Sequence, residues 1–257
     1  MLPHAEWLEQ AKRLHVGMRM RVRHRRESRA NMIIENARDR YWCYCQSCKE
    51  GGVLMKEHVL LTGPVERATG LDKPRDLAPV LGSDFESVVG RFLASKGMMY
   101  PYLPPLWYSV GAKRMLLQDT EGRWHGRDLT GRSDRKWLNY EGSRFVGKPA
   151  DCTVLTEDLF SMYKVAFALR GTPIAVCCTL GAGVHDAAVL ATMKCKSIVW
   201  AYDADAAGDA GYTHGSMRMR PFGAKQFRAR PPEGLDPKDM DCPDIRAMIE
   251  GAMNGNP

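Results

Sequence analysis

The rhythm of apolar and polar positions changes near residue 150. Beyond it, short apolar runs alternate with segments of helical period. Cys152–Thr156, Ile174–Leu180 and Ser197–Tyr202 read as strands, and Leu159–Leu169, Val184–Met193 and Ala206–Met219 as helices. Ala224–Arg230 is a weaker last strand and Ile245–Met253 a terminal helix. Strands that are apolar throughout and alternate with helices predict a parallel sheet covered on both faces.

Ahead of residue 150 the pattern is less regular. A short amphipathic helix is expected from about Glu6 to Leu14, followed by a basic stretch with Arg19, Arg21, Arg23, Arg25, Arg26 and Arg29. Asn31–Glu35 and Asp39–Tyr44 read as two strands of a hairpin about the polar turn Asn36–Arg38. Cys45–Gly52 reads as a tight turn, with Val53–Leu61 continuing as a strand or short helix. From Asp72 to Pro149, Pro, Gly and aromatic residues crowd together. Ser87–Lys96 is the expected helix there, and Met115–Asp119, Gly122–Gly126 and Lys136–Tyr140 are short strands. The expected fold class is therefore α/β in three parts: a small ribbon over 1–62, a mixed basic module over 63–149 and a parallel-sheet domain over 150–257.

Composition narrows the class. The 257 residues are 44% hydrophobic and 26% charged, as in soluble globular proteins, and no run reaches the length of a membrane span. The opening MLPHAEWLEQAKRL has no apolar h-region, so no secretory signal is expected. The net charge of +7 favours a polyanionic partner. Of 8 cysteines, Cys43, Cys45 and Cys48 crowd together while the others sit in apolar stretches. That pattern implies reduced thiols, a cytoplasmic setting and one metal site rather than a disulfide framework.

Functional groups in a parallel α/β sheet collect at the carboxyl ends of its strands. Here the first strand ends at Glu157, the third at Asp203 and Asp205, and Asp236 and Asp239 follow the fourth. Carboxylates brought to one rim repel one another, and a divalent cation relieves this. Mg²⁺ takes oxygen ligands from a few carboxylates and from substrate phosphates, and two such ions can serve an in-line phosphoryl displacement.

Residues from Cys152 to about Met253 resemble a Toprim domain. The match lies in Glu157, in Asp203-Ala204-Asp205 followed by Ala207-Gly208, and in the downstream GLDPKD. Leu180-Gly181 matches the glycine-containing turn between these motifs. The resemblance implies Mg²⁺ (or Mn²⁺) held by Glu157, Asp203 and Asp205 with help from Asp236 or Asp239, and acid–base work by Glu157. Two positions depart from the family: Asp158 stands where a Gly is usual, and Ser161 where phage primases often carry a further Asp.

Cys45-Gln-Ser-Cys48 supplies half of a tetrahedral Zn²⁺ shell. His24 lies upstream with a hairpin between, and Cys43 or His58 is available as the fourth ligand. A CxxH knuckle ending at His24 would need a Cys at position 21, which is Arg21. The run YWCYCQSCKEGG resembles the second knuckle of the zinc ribbon that precedes the catalytic core in bacterial and phage Toprim primases. In the middle region, basic residues interleave with Trp107, Tyr108, Trp124, Trp137 and Tyr140, a pattern suited to single strands and nucleotides. Arg114, Arg127, Arg132 and Lys136 are the expected phosphate contacts, with Arg228 and Arg230 as weaker candidates. GSRFVGKP (142–149) nearly spells a P-loop, but Pro149 replaces the Mg²⁺-binding hydroxyl, so it reads as a linker.

The order of ribbon, basic module and Toprim implies a bacteriophage-like DNA primase of the DnaG type. Such an enzyme is a nucleotidyltransferase that makes RNA primers from ribonucleoside triphosphates on single-stranded DNA during DNA replication. It would work beside a separate replicative helicase, in the host cytoplasm if phage-encoded. The alternatives are a non-catalytic single-stranded-DNA-binding accessory protein and a Toprim nuclease.

Overall fold

A computed structural model describes residues 1–25, 27–57 and 71–255, divided between two compact units, Met1–Thr62 and Gly63–Pro257.

The first unit opens with a 3₁₀ turn (His4–Glu6) and helix α1 (Leu8–Lys12). An antiparallel sheet follows, in the order β1 (Met18–Val22), β2 (Met32–Asn36), β3 (Arg40–Cys45), β4 (Glu50–Met55). Alternate residues of β2 and β3 face inward: Met32, Ile34, Cys43 and Cys45 pack with Leu2, Trp7 and Ala11. Two elements differ from expectation. The basic stretch forms strand β1, because Met18-Arg19-Met20-Arg21-Val22 alternates and pairs with β2 from Met18 opposite Asn36 to Val22 opposite Met32. Strand β4 begins at Glu50, so the turn expected over Cys45–Gly52 contracts to residues 46–49. Gly52 is required in β4: a Cβ there would lie 2.7 Å from the Trp7 indole nitrogen. His58, one of the residues considered for zinc, lies outside the described residues.

The second unit contains two sheets. The antiparallel one runs β5 (Leu77–Pro79), β6 (Leu106–Ser109), β7 (Arg114–Gln118), β8 (Trp124–Asp128), β9 (Trp137–Asn139), with helix α2 (Glu86–Ala94) between β5 and β6. Strands β5 and β6 are too short and too close to Pro79, Pro104 and Pro105 to declare themselves by periodicity. The other sheet is parallel. Its strands β10 (Cys152–Thr156), β11 (Ile174–Cys178), β12 (Ser197–Trp200) and β13 (Lys225–Arg228) lie in the order β11-β10-β12-β13.

Helices α3 (Leu159–Ala168) and α6 (Cys242–Met253) cover one face of the parallel sheet, through Val165, Ala168, Ile245 and Ile249 on Val154 and Val199. The other face carries α5 (Ala206–Met219), whose Gly215 meets Trp200 and Val184, and α4 (Asp186–Thr192), whose Thr192 hydroxyl reaches Met219 of α5. A mixed α/β architecture with a parallel four-stranded sheet flanked by helices is thus present, as the alternation beyond residue 150 predicts.

The boundary expected near Pro149 separates the two sheets, yet they share one core. Val89, Leu93, Met115 and Leu117 from the antiparallel part pack with Leu159, Phe160 and Met162 of α3. The segment read as a linker is stitched to the sheet edge: the N–H groups of Val146 and Cys178 each donate to the other residue's carbonyl, at 2.9 and 2.8 Å.

Candidate metal centres

The carboxyl ends of β10 and β12 are neighbours, so the residues after them meet. Glu157 follows β10, and its Oε1 accepts the backbone N–H of Asp203, beyond β12, at 3.2 Å. Asp158 caps α3, accepting the Ser161 N–H at 3.0 Å, and Asp205 caps α5, accepting the Gly208 N–H at 2.7 Å. Each cap engages one carboxylate oxygen. Gly208 is demanded by this crowding, since a Cβ there would run into the Asp203 carbonyl and sit 2.8 Å from Glu157 Oε1. Asp158, Asp203 and Asp236 bring one carboxylate oxygen each within 4.8 Å of one another, close enough to share a cation. Asp239 braces its own turn instead: its Oδ2 accepts the Asp236 N–H at 3.1 Å and so helps present Asp236.

Burial, reinforced by neighbouring carboxylates, raises Glu157 to about 7 and Asp203 to about 7. Asp203 Oδ1 is buried with no hydrogen-bond partner among the described residues. A buried, unpaired carboxylate oxygen is costly, and a hard divalent cation is the partner whose chemistry suits it. Charge is already partly balanced by Lys238, whose ammonium pairs with Asp236 and lies 3.4 Å from Asp158.

In the first unit, His24, Cys45 and Cys48 place one ligand atom each within 4.8 Å of one another. His24 Nδ1 lies 3.7 Å from Cys48 Sγ. Its Nε2 donates to Glu6 Oε2 at 2.7 Å, and Arg25 holds Glu6 in turn at 3.1 Å. That bond fixes the ring so that Nδ1 faces the thiols, the orientation in which an imidazole serves as a metal ligand. The soft thiols and the imidazole fit Zn²⁺. Cys43 belongs to the apolar core with Trp7 and Ile34, where burial pushes its thiol up to about 11.

The solved structures that resemble this chain include DNA primases. One is the zinc-binding and RNA polymerase domains of Aquifex aeolicus primase, at 15% identity over 95% of this chain and 82% of that one, with a TM-score of 0.46. Another is the primase fragment of the bacteriophage T7 primase-helicase, at 16% identity over 84% of this chain and 93% of that one, with a TM-score of 0.48. A Pseudomonas aeruginosa DNA primase domain gives 18% identity, 59% and 55% coverage, and 0.43. No family profile and no curated protein sequence matches the chain.

The expected phosphate contacts divide into three kinds. Arg114 is buried and donates to the Gly126, Lys136 and Arg135 carbonyls and to Ser133 Oγ, at 2.8 to 3.4 Å, so it braces the loop after β8. Arg132 and Lys136 are exposed on that loop. Arg127 is different again. Its guanidinium lies 5.5 Å from the Trp137 ring centroid and 5.8 Å from those of Phe92 and Phe160, in no ion pair among the described residues. Burial lowers its pKa, against the pull of Asp158 and Asp128. A desolvated cation this close to the carboxylate rim suits a phosphate there.

Arg228 and Arg230 both pair with Asp209. Arg228 also donates to the carbonyls of Trp200, Tyr202 and Asp203 at 3.0 to 3.1 Å, buttressing the loop that carries the Asp-x-Asp pair. Sequence reasoning gave no place to Lys238, Glu6 or Glu27. Lys238 lies inside the GLDPKD motif, so its position was a signal. Glu6 was not findable, because its partner His24 comes from a distant turn; Glu27 stands three residues after His24, but its contact with Cys45 exists only in the folded chain. No helix among the described residues is long and apolar enough to cross a membrane.

Proposed function

We propose that this chain is a Toprim-type DNA primase that joins ribonucleotides on a single-stranded DNA template. The observation that carries the reading is the meeting of Glu157, Asp158, Asp203 and Asp236 at one rim of the parallel sheet, with Asp203 Oδ1 buried and unpartnered. When bound there, Mg²⁺ or Mn²⁺ supplies charge neutralisation for the transferred phosphoryl group and acidifies the attacking hydroxyl. Asp203, Asp205, Asp158 and Asp236 are the residues that would hold it. Glu157, poised near neutrality by burial, takes up the proton of the primer 3′-hydroxyl. Arg127, Arg132 and Lys136 bind the incoming triphosphate, and Arg114 keeps their loop in place.

The His24, Cys45 and Cys48 cluster would hold Zn²⁺ and stiffen a ribbon that contacts template. The formal net charge of +7 supports a polyanionic partner. A replicative helicase is the expected partner, and GSRFVGKP (142–149) lacks the hydroxyl of a nucleotide-binding P-loop, so this segment is not its ATP site.

The test is incorporation of labelled ATP into short products on mixed-sequence single-stranded DNA with Mg²⁺. Wild type should form primers, and Asp203→Ala should not. Equal product from both would refute the mechanism. Strand cleavage without nucleotides would assign a nuclease instead, and tight DNA binding with no incorporation an accessory protein.

A further inference from the structure

The His24, Cys45 and Cys48 cluster offers three ligands, and Glu27 lies against Cys45 of that cluster. His24 and Glu27 are the two ends of a tight turn: the Glu27 N–H donates to the His24 carbonyl at 3.2 Å, and Arg25 between them is left-handed at φ 54°. His24 and Glu27 are thus separated by two residues, the spacing of a metal knuckle. This turn faces the Cys45-x-x-Cys48 knuckle, which is closed by a left-handed Lys49 at φ 57°. The Cys45–Cys48 turn is tied to the residue that precedes β2: the Asn31 side chain donates to Ser47 Oγ at 2.9 Å, and the Gln46 N–H donates to the Asn31 carbonyl at 3.0 Å.

We propose that Glu27 supplies the fourth zinc ligand, so that the ribbon holds its metal through His24-x-x-Glu27 facing Cys45-x-x-Cys48; this rests on reading the cluster as a zinc site. Three observations support it. Glu27 Oε1 lies 3.6 Å from Cys45 Sγ, and His24 Nδ1 lies 3.7 Å from Cys48 Sγ. With Zn–S near 2.3 Å and Zn–N or Zn–O near 2.0–2.2 Å, the edge of a tetrahedral shell is about 3.6 Å, so both pairs are already at ligand-to-ligand spacing. Glu27 Oε2 is buried and has no hydrogen-bond partner among the described residues, an acceptor that a cation would compensate. Charge also balances: two thiolates and one carboxylate carry the same −3 as the three thiolates of a Cys₃His shell. The knuckle therefore runs forward from His24 rather than backward to position 21, where Arg21 stands.

The experiment measures zinc and cobalt on the full chain. Zinc per chain and its release rate to a chromogenic chelator are compared for wild type, Glu27→Gln, Glu27→Cys, Cys43→Ser and His58→Ala. In cobalt-substituted protein, the intensity of the thiolate-to-cobalt charge-transfer band counts the sulfur ligands. The expected results are one zinc in wild type, release at least about tenfold faster in Glu27→Gln, and no change in Cys43→Ser or His58→Ala. Glu27→Cys should keep its metal and strengthen the cobalt band by half, as two sulfur ligands become three. It also serves where Glu27→Gln fails to fold. A band weakened by Cys43→Ser, zinc loosened by His58→Ala, or unchanged release in Glu27→Gln would each overturn the proposal while leaving a zinc ribbon in place. Wild type without zinc would overturn the ribbon reading itself.

Discussion

Glu157 accepts the backbone N–H of Asp203 at 3.2 Å, which joins the loops after two adjacent parallel strands and seats one acid beside another. The bond fixes Glu157 through one oxygen and leaves the second for chemistry. Glu157→Gln keeps an oxygen acceptor for that N–H but loses the proton-accepting group. Primer synthesis should fall by about 10²–10⁴-fold, measured as labelled ATP incorporation at saturating Mg²⁺. Thermal stability should hold or rise at pH 8, because the variant no longer carries a buried charge there. A synthesis rate within twofold of wild type would remove Glu157 from the chemistry.

The same burial gives a pH signature. Glu157 and Asp203 have folded pKa values of about 7, above the unfolded range near 4. For an acid so raised, the protonated form favours the folded state. Metal-free stability is therefore greatest below about pH 4 as far as these two groups are concerned, and their contribution is lost as pH rises through about 7. Thermal melts of chelator-treated protein should show the melting temperature falling between pH 5 and 8 relative to a Glu157→Gln, Asp203→Asn double variant. Added Mg²⁺ should restore it, more at pH 8 than at pH 5.5. A Mg²⁺ effect independent of pH would exclude binding at these carboxylates.

Lys238 meets Asp236 and Asp158 from within the motif that carries Asp236. Its removal leaves a denser negative field. Lys238→Gln should lower the melting temperature of metal-free protein, and millimolar Mg²⁺ should recover most of the loss. Calorimetric titration should also show tighter Mn²⁺ binding than in wild type, with weaker binding as the result that would contradict this account.

Arg127 sits among Phe92, Trp137 and Phe160 with no ion pair among the described residues. Methionine fits such surroundings, so Arg127→Met should be at least as stable as wild type. Loss of a charge-assisted contact to phosphate should raise KM for the nucleotide by about tenfold or more, corresponding to roughly 1.5–3 kcal/mol. Steady-state kinetics in ATP separates this from a folding defect, because a merely structural Arg127 would lower active fraction and leave KM unmoved.

Asp119 is the structural counterpart of these acids. Its carboxylate accepts from Arg123 Nε at 2.8 Å and from the Glu121 and Arg123 N–H groups at 2.8 and 3.0 Å, with His125 Nε2 at 3.0 Å. These partners hold it well below the usual carboxylate range, against the opposing effect of burial. Its stabilisation is present above about pH 4 and fades as pH falls further. Asp119→Ala should cost about 3–5 kcal/mol in urea unfolding, by stripping a buried network of its anion. A loss under 1 kcal/mol would mean the network is dispensable.

The parallel half of this protein was legible in the order of its residues. Apolar strands buried on both faces, alternating with helices, admit few other arrangements, and the rule that sites form at carboxyl strand ends brought Glu157, Asp203 and Asp205 together before any coordinates. The Cys45–Cys48 turn was legible too, because a CxxC turn is a local geometry, whereas only the tertiary structure brings His24 to it. Contacts made by pairs with no shared period were not. Lys238 on Asp158, Arg228 across the ends of β12, and Glu6 on His24 each depend on where a turn lands after the sheets assemble. Strand β1 was visible in its alternation yet masked by its arginines, since it is an edge strand with little burial to advertise it. The shared core of the two sheets in the second unit follows the same logic. Leu159 and Met162 look like one face of a helix in the sequence, and only packing decides that the surface they meet is the basic module. Local periodicity reports how a segment folds, whereas long-range pairing is set by the free energy of burying particular faces and charges together.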